Sequence, residues 1–394
     1  MFFSRLKASF FLLLAGSTLV ACSPASGDDY PLSYQPNEAL PEWNITPFSQ
    51  YVNNTQRWLK TSRAFLTDDQ DNEVILNSPF ELKPSPDKDN GNGVLLVHGL
   101  GDSPYSFHDI AQRLVTQGYT VRALLLPGHG TRPADLMLPN PGDWQTMVNF
   151  HVEQFAQQVK QLWLGGYSTG ANLVTKAAFQ HPDVAGLLLF SPAFHSSSSL
   201  IQYAGLAQYV MPWADKDPEN NPLRYNSLPT HGAYLYYRTS VNVVRQLERH
   251  DYDKPTLMVL AEQDSILDTA EIADMFKQHF THPRSVLLWQ GEHLPKDYRA
   301  YLLPMPISEK KISTGSHMGV MFSPQNPYYG TNGSIKVCNN GQTESQTHAC
   351  KKGQPVWYSA WGYKEGNKNH ARLTYNPYFD TMMTKLHGVM SQSN

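Results

Sequence analysis

Cysteine is scarce in this 394-residue chain, which has three. With Cys22 set aside only Cys338 and Cys350 are left, and no CxxC or HxxxH companion accompanies them, so no metal site is expected. Charge of one sign is lacking as well. Thirty-one Lys and Arg oppose 34 Asp and Glu, for a formal net charge of -3; with no basic excess to neutralise phosphates, nucleic acid is excluded as a partner class. No internal repeat is present. The apolar run from roughly Ala8 to Ala21 is short of the about 18 to 20 residues that span a bilayer. What the chain does have is 41% apolar residues, enough to bury the core of one large or two medium domains. His108, His129, His151, His181 and His195 show no ligand spacing and read as packing or surface residues. No cofactor is expected.

The first residues form a separate unit. Arg5 and Lys7 lead the apolar "FFLLLAGSTLV", and "LVAC" ends at Cys22, a pattern that reads as an export signal over residues 1–21. "LVAC" followed by Ser23 also resembles a bacterial lipobox. That resemblance implies lipidation of Cys22 and a lipid-anchored protein of the bacterial cell envelope, with the outer membrane as the expected location. Residues 22–46, rich in Pro, Ser and acids, read as a flexible tether. In an exported chain the remaining even pair, Cys338 and Cys350, reads as a disulfide.

Further along, apolar residues recur at helical spacing from Phe48 to Leu66, with Tyr51, Trp58, Leu59 and Phe65 as expected core contacts. "NEVILNSPFELKP" has strand-like content and "PSPDKDNGNG" is a turn cluster. From "VLLVHG" onward, unbroken apolar runs alternate with helical patterns: "FHDIAQRLVTQGY", "TVRALLLPGHG", a helix from about Pro141 to Gln161, "LWLG", "ANLVTKAAFQ", "VAGLLLFSP". This βαβ rhythm predicts an α/β fold with a mostly parallel sheet flanked by helices. It breaks over residues 193–252, where "LIQYAGLAQYVMPW" and "YLYYRTSVNVVRQLER" suggest an inserted helical cap. Tyr203, Leu206, Val210, Met211, Trp213 and the "YLYY" cluster would either pack into the core or roof an apolar cleft. The sheet resumes with "PTLMVLAEQD" and "SVLLWQG". The expected core is therefore 47–192 plus 253–394, the latter carrying an irregular insertion at about 324–376 that holds the cysteine pair.

The chemistry concentrates in two turns. "GGYSTGANLV" sets Gly166, Ser168 and Gly170 directly after a strand and before a helix, the context of a nucleophile elbow. Glycines two residues either side let the chain turn sharply, and the helix N-terminus favours a developing oxyanion. Where a buried strand ends in "LLVHGLGDS", the Leu100 N–H is placed to join that of Thr169 as an oxyanion hole. His98 precedes this loop and reads as a structural hydrogen-bonding group.

The stretch "GVLLVHGLGDSPYSFHDIAQRLVTQGYTVRALLLPGHGTRPADLMLPNPGDW" together with "GYSTGA" resembles the α/β-hydrolase superfamily, in particular its bacterial carboxylesterase, monoacylglycerol lipase and serine aminopeptidase members. The resemblance covers about residues 90–192 well and 253–317 loosely; the Cys338–Cys350 region has no counterpart in it. It implies a Ser, acid, His chain order and a small-molecule ester or lipid substrate. "MVLAEQDSILDTAE" offers Asp264 and Asp268. Asp268, with Glu271 three positions on, fits a helix N-cap, which leaves Asp264 as the acid. For the base, spacing favours His293, whereas "GSHMGV" resembles the segment around the esterases' histidine and its small neighbours suggest clearance for His317, which is preferred. The expected protein is a Ser168–Asp264–His317 ester hydrolase. An aminopeptidase of the same superfamily and a non-catalytic envelope scaffold are the alternatives.

Overall fold

The computed structural model describes residues 31–391; the export-signal and Cys22 readings lie outside the described residues. The strands are β1 (Phe80–Leu82), β2 (Gly93–Val97), β3 (Thr120–Leu124), β4 (Leu162–Tyr167), β5 (Gly186–Phe190), β6 (Trp213–Asp215), β7 (Leu228–Pro229), β8 (Thr256–Ala261), β9 (Val286–Gly291), β10 (Ala300–Pro304), β11 (Trp357–Ser359) and β12 (His370–Arg372). Eight of them make one sheet in the order β1-β3-β2-β4-β5-β8-β9-β10. Only β1 runs antiparallel to its neighbour; all other pairings in this sheet are parallel.

Side chains alternate across each strand, so the apolar runs feed two cores at once. Leu95, Val97, Leu162, Leu164, Leu187, Leu189, Met258 and Leu260 face one side. Val94, Leu96, Trp163, Leu188, Phe190, Leu257 and Val259 face the other. Helices α1 (Phe48–Ser62) and α2 (Gln70–Asn77) precede the sheet, and α3 (His108–Thr116), α4 (Asp143–Ala156) and α5 (Thr169–Gln180) cross between its first strands. They are followed by α6 (Ala204–Ala207), α7 (Thr230–Arg249), α8 (Thr269–His279), α9 (Glu344–Lys351) and α10 (Phe379–Ser391). The first core takes its partners from α1, α4, α5, α7 and α8. The second takes Ile110 and Leu114 of α3 and Met382, Met383 and Leu386 of α10. This double burial is what makes the sheet a rigid platform for the loops at its strand ends.

Three local expectations are corrected. "NEVILN" is helical as α2, because Asp69 caps it by accepting from the Asn72 N–H at 3.1 Å. Glu73 then anchors it through Arg63 Nε at 2.7 Å and the amides of Leu66 and Thr67. Strand structure begins only at Phe80. The tether assigned to 22–46 is docked from Leu32 onward: Tyr34 packs edge-on against Trp213, and Asn37 binds Asp135 through both its backbone N–H and its side chain. "LIQYAGLAQYVMPW" is not one helix but a 3-10 turn, Ser199–Tyr203, running into the four-residue α6. Among the described residues no helix is long and apolar enough to cross a membrane.

Candidate active site

Strand β4 ends at Tyr167 and α5 begins at Thr169, so Ser168 alone makes the turn, at φ 53° and ψ -117°. A positive φ is costly for any residue with a Cβ, on the order of 1–3 kcal/mol. The backbone enforces it: Ser168 N–H donates to Phe190 O at 3.0 Å, and Ser168 O accepts from Ala171 and Ala193 N–H at 3.0 and 3.2 Å. The flanking glycines are there for approach. A Cβ on Gly170 would lie 2.0 Å from Val97 O, and one on Gly166 would lie 2.5 Å from the Ala171 backbone. Only glycine lets the first turn of α5 sit against the end of β2.

Beyond β8 the chain turns so that Asp264 Oδ1 accepts from the Ile266 and Leu267 amides at 2.8 and 3.3 Å. Its other oxygen, Oδ2, lies 2.6 Å from His317 Nδ1, and His317 Nε2 lies 3.0 Å from Ser168 Oγ. With a carboxylate at Nδ1, the proton belongs on Nδ1, which leaves Nε2 as an acceptor facing the hydroxyl. The imidazole packs against the Tyr167 ring at 5.3 Å. The small residues before His317 do not provide clearance as expected; they are buried tie points. Ser316 Oγ donates to Leu373 O at 2.6 Å and accepts from Gly319 N–H at 3.0 Å. Ser313 Oγ donates to Glu365 Oε2 at 2.8 Å, and Thr314 Oγ1 accepts from Ala360 N–H at 2.9 Å.

The loop carrying Leu100 is held by two histidines. Leu126 N–H donates to His98 Nε2 at 3.1 Å while His98 Nδ1 donates to Gly99 O at 2.8 Å. Gly101 N–H donates to His129 Nε2 at 3.0 Å, and His129 Nδ1 faces the Leu126 and Pro127 carbonyls at 3.2 Å. Each ring accepts from an amide on one nitrogen, so each is neutral. Burial drives the same state: it pulls His129 down to about 4, and burial followed by the neighbouring His129 holds His98 well below the usual imidazole range.

Leu100, Thr169, Ser168 and His317 line one cavity of about 690 Å³, counting the part that opens to solvent. Its apolar wall is Ala193, Leu228, Tyr236, Ile266 and Met318; its polar wall is Asp102, Arg224 and Arg372. Of the residues expected to roof it, only Tyr236, on α7, reaches it. Leu206 and Val210 instead stand 76% and 86% exposed. His293 lies at the surface, 83% exposed, paired with Glu262 at 2.8 Å. Asp268 caps α8 through the Glu271 N–H at 3.1 Å. Cys338 and Cys350 are joined, with Cα atoms 5.7 Å apart. His129, read from the sequence as a packing or surface residue, instead holds the Leu100 loop, and Asp102 follows Leu100 in that same loop; Arg224 and Arg372 were not singled out from the sequence. The two arginines reach the site through contacts distant along the chain, and no local pattern marks them.

A mostly parallel sheet flanked by helices, with a serine on a strained strand-to-helix turn, defines the α/β-hydrolase fold. Residues 89–216 match the family model of serine aminopeptidase, S33. The chain is similar to a thermostable monoacylglycerol lipase from Bacillus sp. (strain H-257), 27% identical over 44% of this chain and 71% of that protein. It is also similar to a carboxylesterase from Bacillus subtilis (strain 168), 24% identical over 56% of this chain and 89% of that one. Among solved structures, a metagenome-derived lipolytic enzyme aligns at 22% identity and a TM-score of 0.48, covering 54% of this chain and 86% of its own.

Proposed function

We propose that the protein is a serine hydrolase of carboxylic esters that works through an acyl-enzyme. The observation that carries this reading is the hydrogen-bonded series Ser168–His317–Asp264, at 3.0 and 2.6 Å, opening into a cavity. His317 Nε2 takes the Ser168 proton as Oγ attacks the ester carbonyl, and the tetrahedral oxyanion is received by the Leu100 and Thr169 amides. Thr169 is the first residue of α5, whose opening N–H groups have no intrahelical partner. His317 then protonates the leaving alcohol, and the same sequence with water releases the acid. Asp264 keeps the imidazole in the working tautomer and stabilises its charged form. The similarity to a monoacylglycerol lipase and a carboxylesterase supports ester over amide substrates. An aminopeptidase must also hold a cationic amino terminus, which two arginines in the cavity disfavour.

The test is labelling by a fluorophosphonate probe. Wild type and His293→Ala are expected to label equally, and Ser168→Ala and His317→Ala not to label. Failure of the wild type to label would sink the enzyme reading in favour of a scaffold, and loss of labelling in His293→Ala alone would transfer the base to His293. Cleavage of aminoacyl anilides without p-nitrophenyl esters would establish the aminopeptidase. The placement in the envelope is part of the same proposal: metabolic labelling with a palmitate analogue should mark the wild type and not Cys22→Ser.

A further inference from the structure

The polar wall of the cavity has a feature that neutral ester hydrolysis does not use. Arg372, on β12, is 6% exposed and lines the cavity beside Ser168 and His317. Its Nε donates to Asn340 Oδ1 at 2.6 Å, but its Nη2 is buried with no hydrogen-bond partner. No carboxylate pairs with it among the described residues. The acid within electrostatic reach, Asp264, is already engaged by His317. Arg224 stands on the same wall, ion-paired with Asp102 Oδ1 at 3.8 Å while its Nε makes no hydrogen bond, and its Nη1 donates to Met318 Sδ at 3.8 Å. Farther off, Glu219 is occupied by the amides of Asn226 and Ser227.

Burial first, and repulsion from Arg224 second, pull Arg372 below the usual arginine range, to about 9, so it is still a cation at neutral pH. Burial also raises the Asp102 carboxyl, against the pull of Arg224 and His317. The wall therefore carries two guanidinium groups against one carboxylate. A buried guanidinium with an unmade hydrogen bond is costly unless an anion completes it, and the planar fork of arginine suits carboxylate and phosphate oxygens.

Resting on the ester-hydrolase reading, we infer that the preferred substrates are esters bearing an anionic group, carboxylate or phosphate, which Arg372 and Arg224 bind while the ester lies at Ser168. Arg372 is a specificity residue: it holds the substrate's charge and takes no part in bond making.

Two matched pairs test this with purified protein. Mono-p-nitrophenyl adipate against p-nitrophenyl hexanoate places a carboxylate at the end of an acyl chain of equal length. 1-Octanoylglycerol 3-phosphate against 1-octanoylglycerol places a phosphate on the alcohol side. Wild type should favour the charged member of one pair in kcat/KM by on the order of tenfold or more. The pair that shows the preference assigns the anion to the acyl or the alcohol side. Arg372→Met should lower that ratio by on the order of tenfold to a hundredfold, with partial rescue in Arg372→Lys. Wild type that favours the neutral member of both pairs, or a ratio that Arg372→Met does not move, overturns the anion reading and leaves ester hydrolysis standing. No cleavage of any of the four, with no fluorophosphonate labelling, overturns both. Should Arg372→Met fail to fold, the wild-type ratios and Arg224→Met decide.

Discussion

Residues 89–216 and residues 313–376 both reach the same cavity, yet they are built in opposite ways. The first region is backbone-laddered: β2 to β5 pair in register, each strand is buried on both faces, and the turn at Ser168 follows from Gly166 and Gly170. The second region has few regular elements, the three-residue β11 and β12 and the eight-residue α9. Scattered backbone bonds, such as Ser313 N–H to Tyr358 O and Leu373 N–H to Ser359 O, are joined there by side chains: Ser313 to Glu365, Ser316 to Leu373, Asn340 to Ser359 and Arg372, and the Cys338–Cys350 bond. The family match stops before the second region begins. Long paired strands carry the first region, and contacts between short elements and loops carry the second.

The largest expected effect tests the joint between the two regions. Asp264→Asn keeps the shape but presents the wrong tautomer to His317, and kcat for a p-nitrophenyl ester should fall about a thousand- to ten-thousandfold with the fold unchanged by circular dichroism. A loss under tenfold would mean that the second region positions His317 without the acid. Next, Cys338→Ser with Cys350→Ser should cost roughly 3 kcal/mol in urea unfolding, the value expected for so short a loop. The loss should appear as an early transition of the second region if the two regions unfold separately, and as one shifted transition if they do not.

Acid should act on the first region and its neighbours. His129 and His151 are both held at about 4 when folded, by burial, against an ordinary value near 6.5. The unfolded chain therefore binds protons that the native one refuses as pH falls below 6.5, and stability present above that value is lost progressively down to about 4. Each residue should contribute roughly 2 kcal/mol of loss by pH 5. A melting temperature equal at pH 7 and pH 5 would contradict the buried neutral state. The smallest effect is expected for Ser316→Ala, which removes two hydrogen bonds behind His317; kcat/KM should drop roughly tenfold, about 1.4 kcal/mol.

The same contrast explains what the sequence discloses. The parallel sheet and the elbow are legible because their requirements are local: apolar runs for strands buried on two faces, glycines for close approach, a serine between strand and helix. Asp268 is legible as a cap, which is how attention falls on Asp264. His317 emerges from the sequence by its small neighbours, but the physical reason differs from the expected one, since Ser313 to Ser316 bind the 359–373 stretch rather than leaving space. Helix α2 is hidden because a buried Arg63–Glu73 pair outweighs its strand-like composition. Leu206 and Val210 mislead because an apolar stretch in an insertion looks like a roof, whereas both side chains face solvent. Arg224 and Arg372 have no local signature at all.

The hydrogen bond from Ser316 Oγ to Leu373 O joins the residue before His317 to the residue after Arg372. A histidine and an arginine far apart in the chain thus share one mechanical mount. A substitution that alters how Leu373 is seated reaches the imidazole through Ser316 as well as the neighbouring Arg372. Engineering of the arginine wall therefore has to be judged by turnover as well as by selectivity.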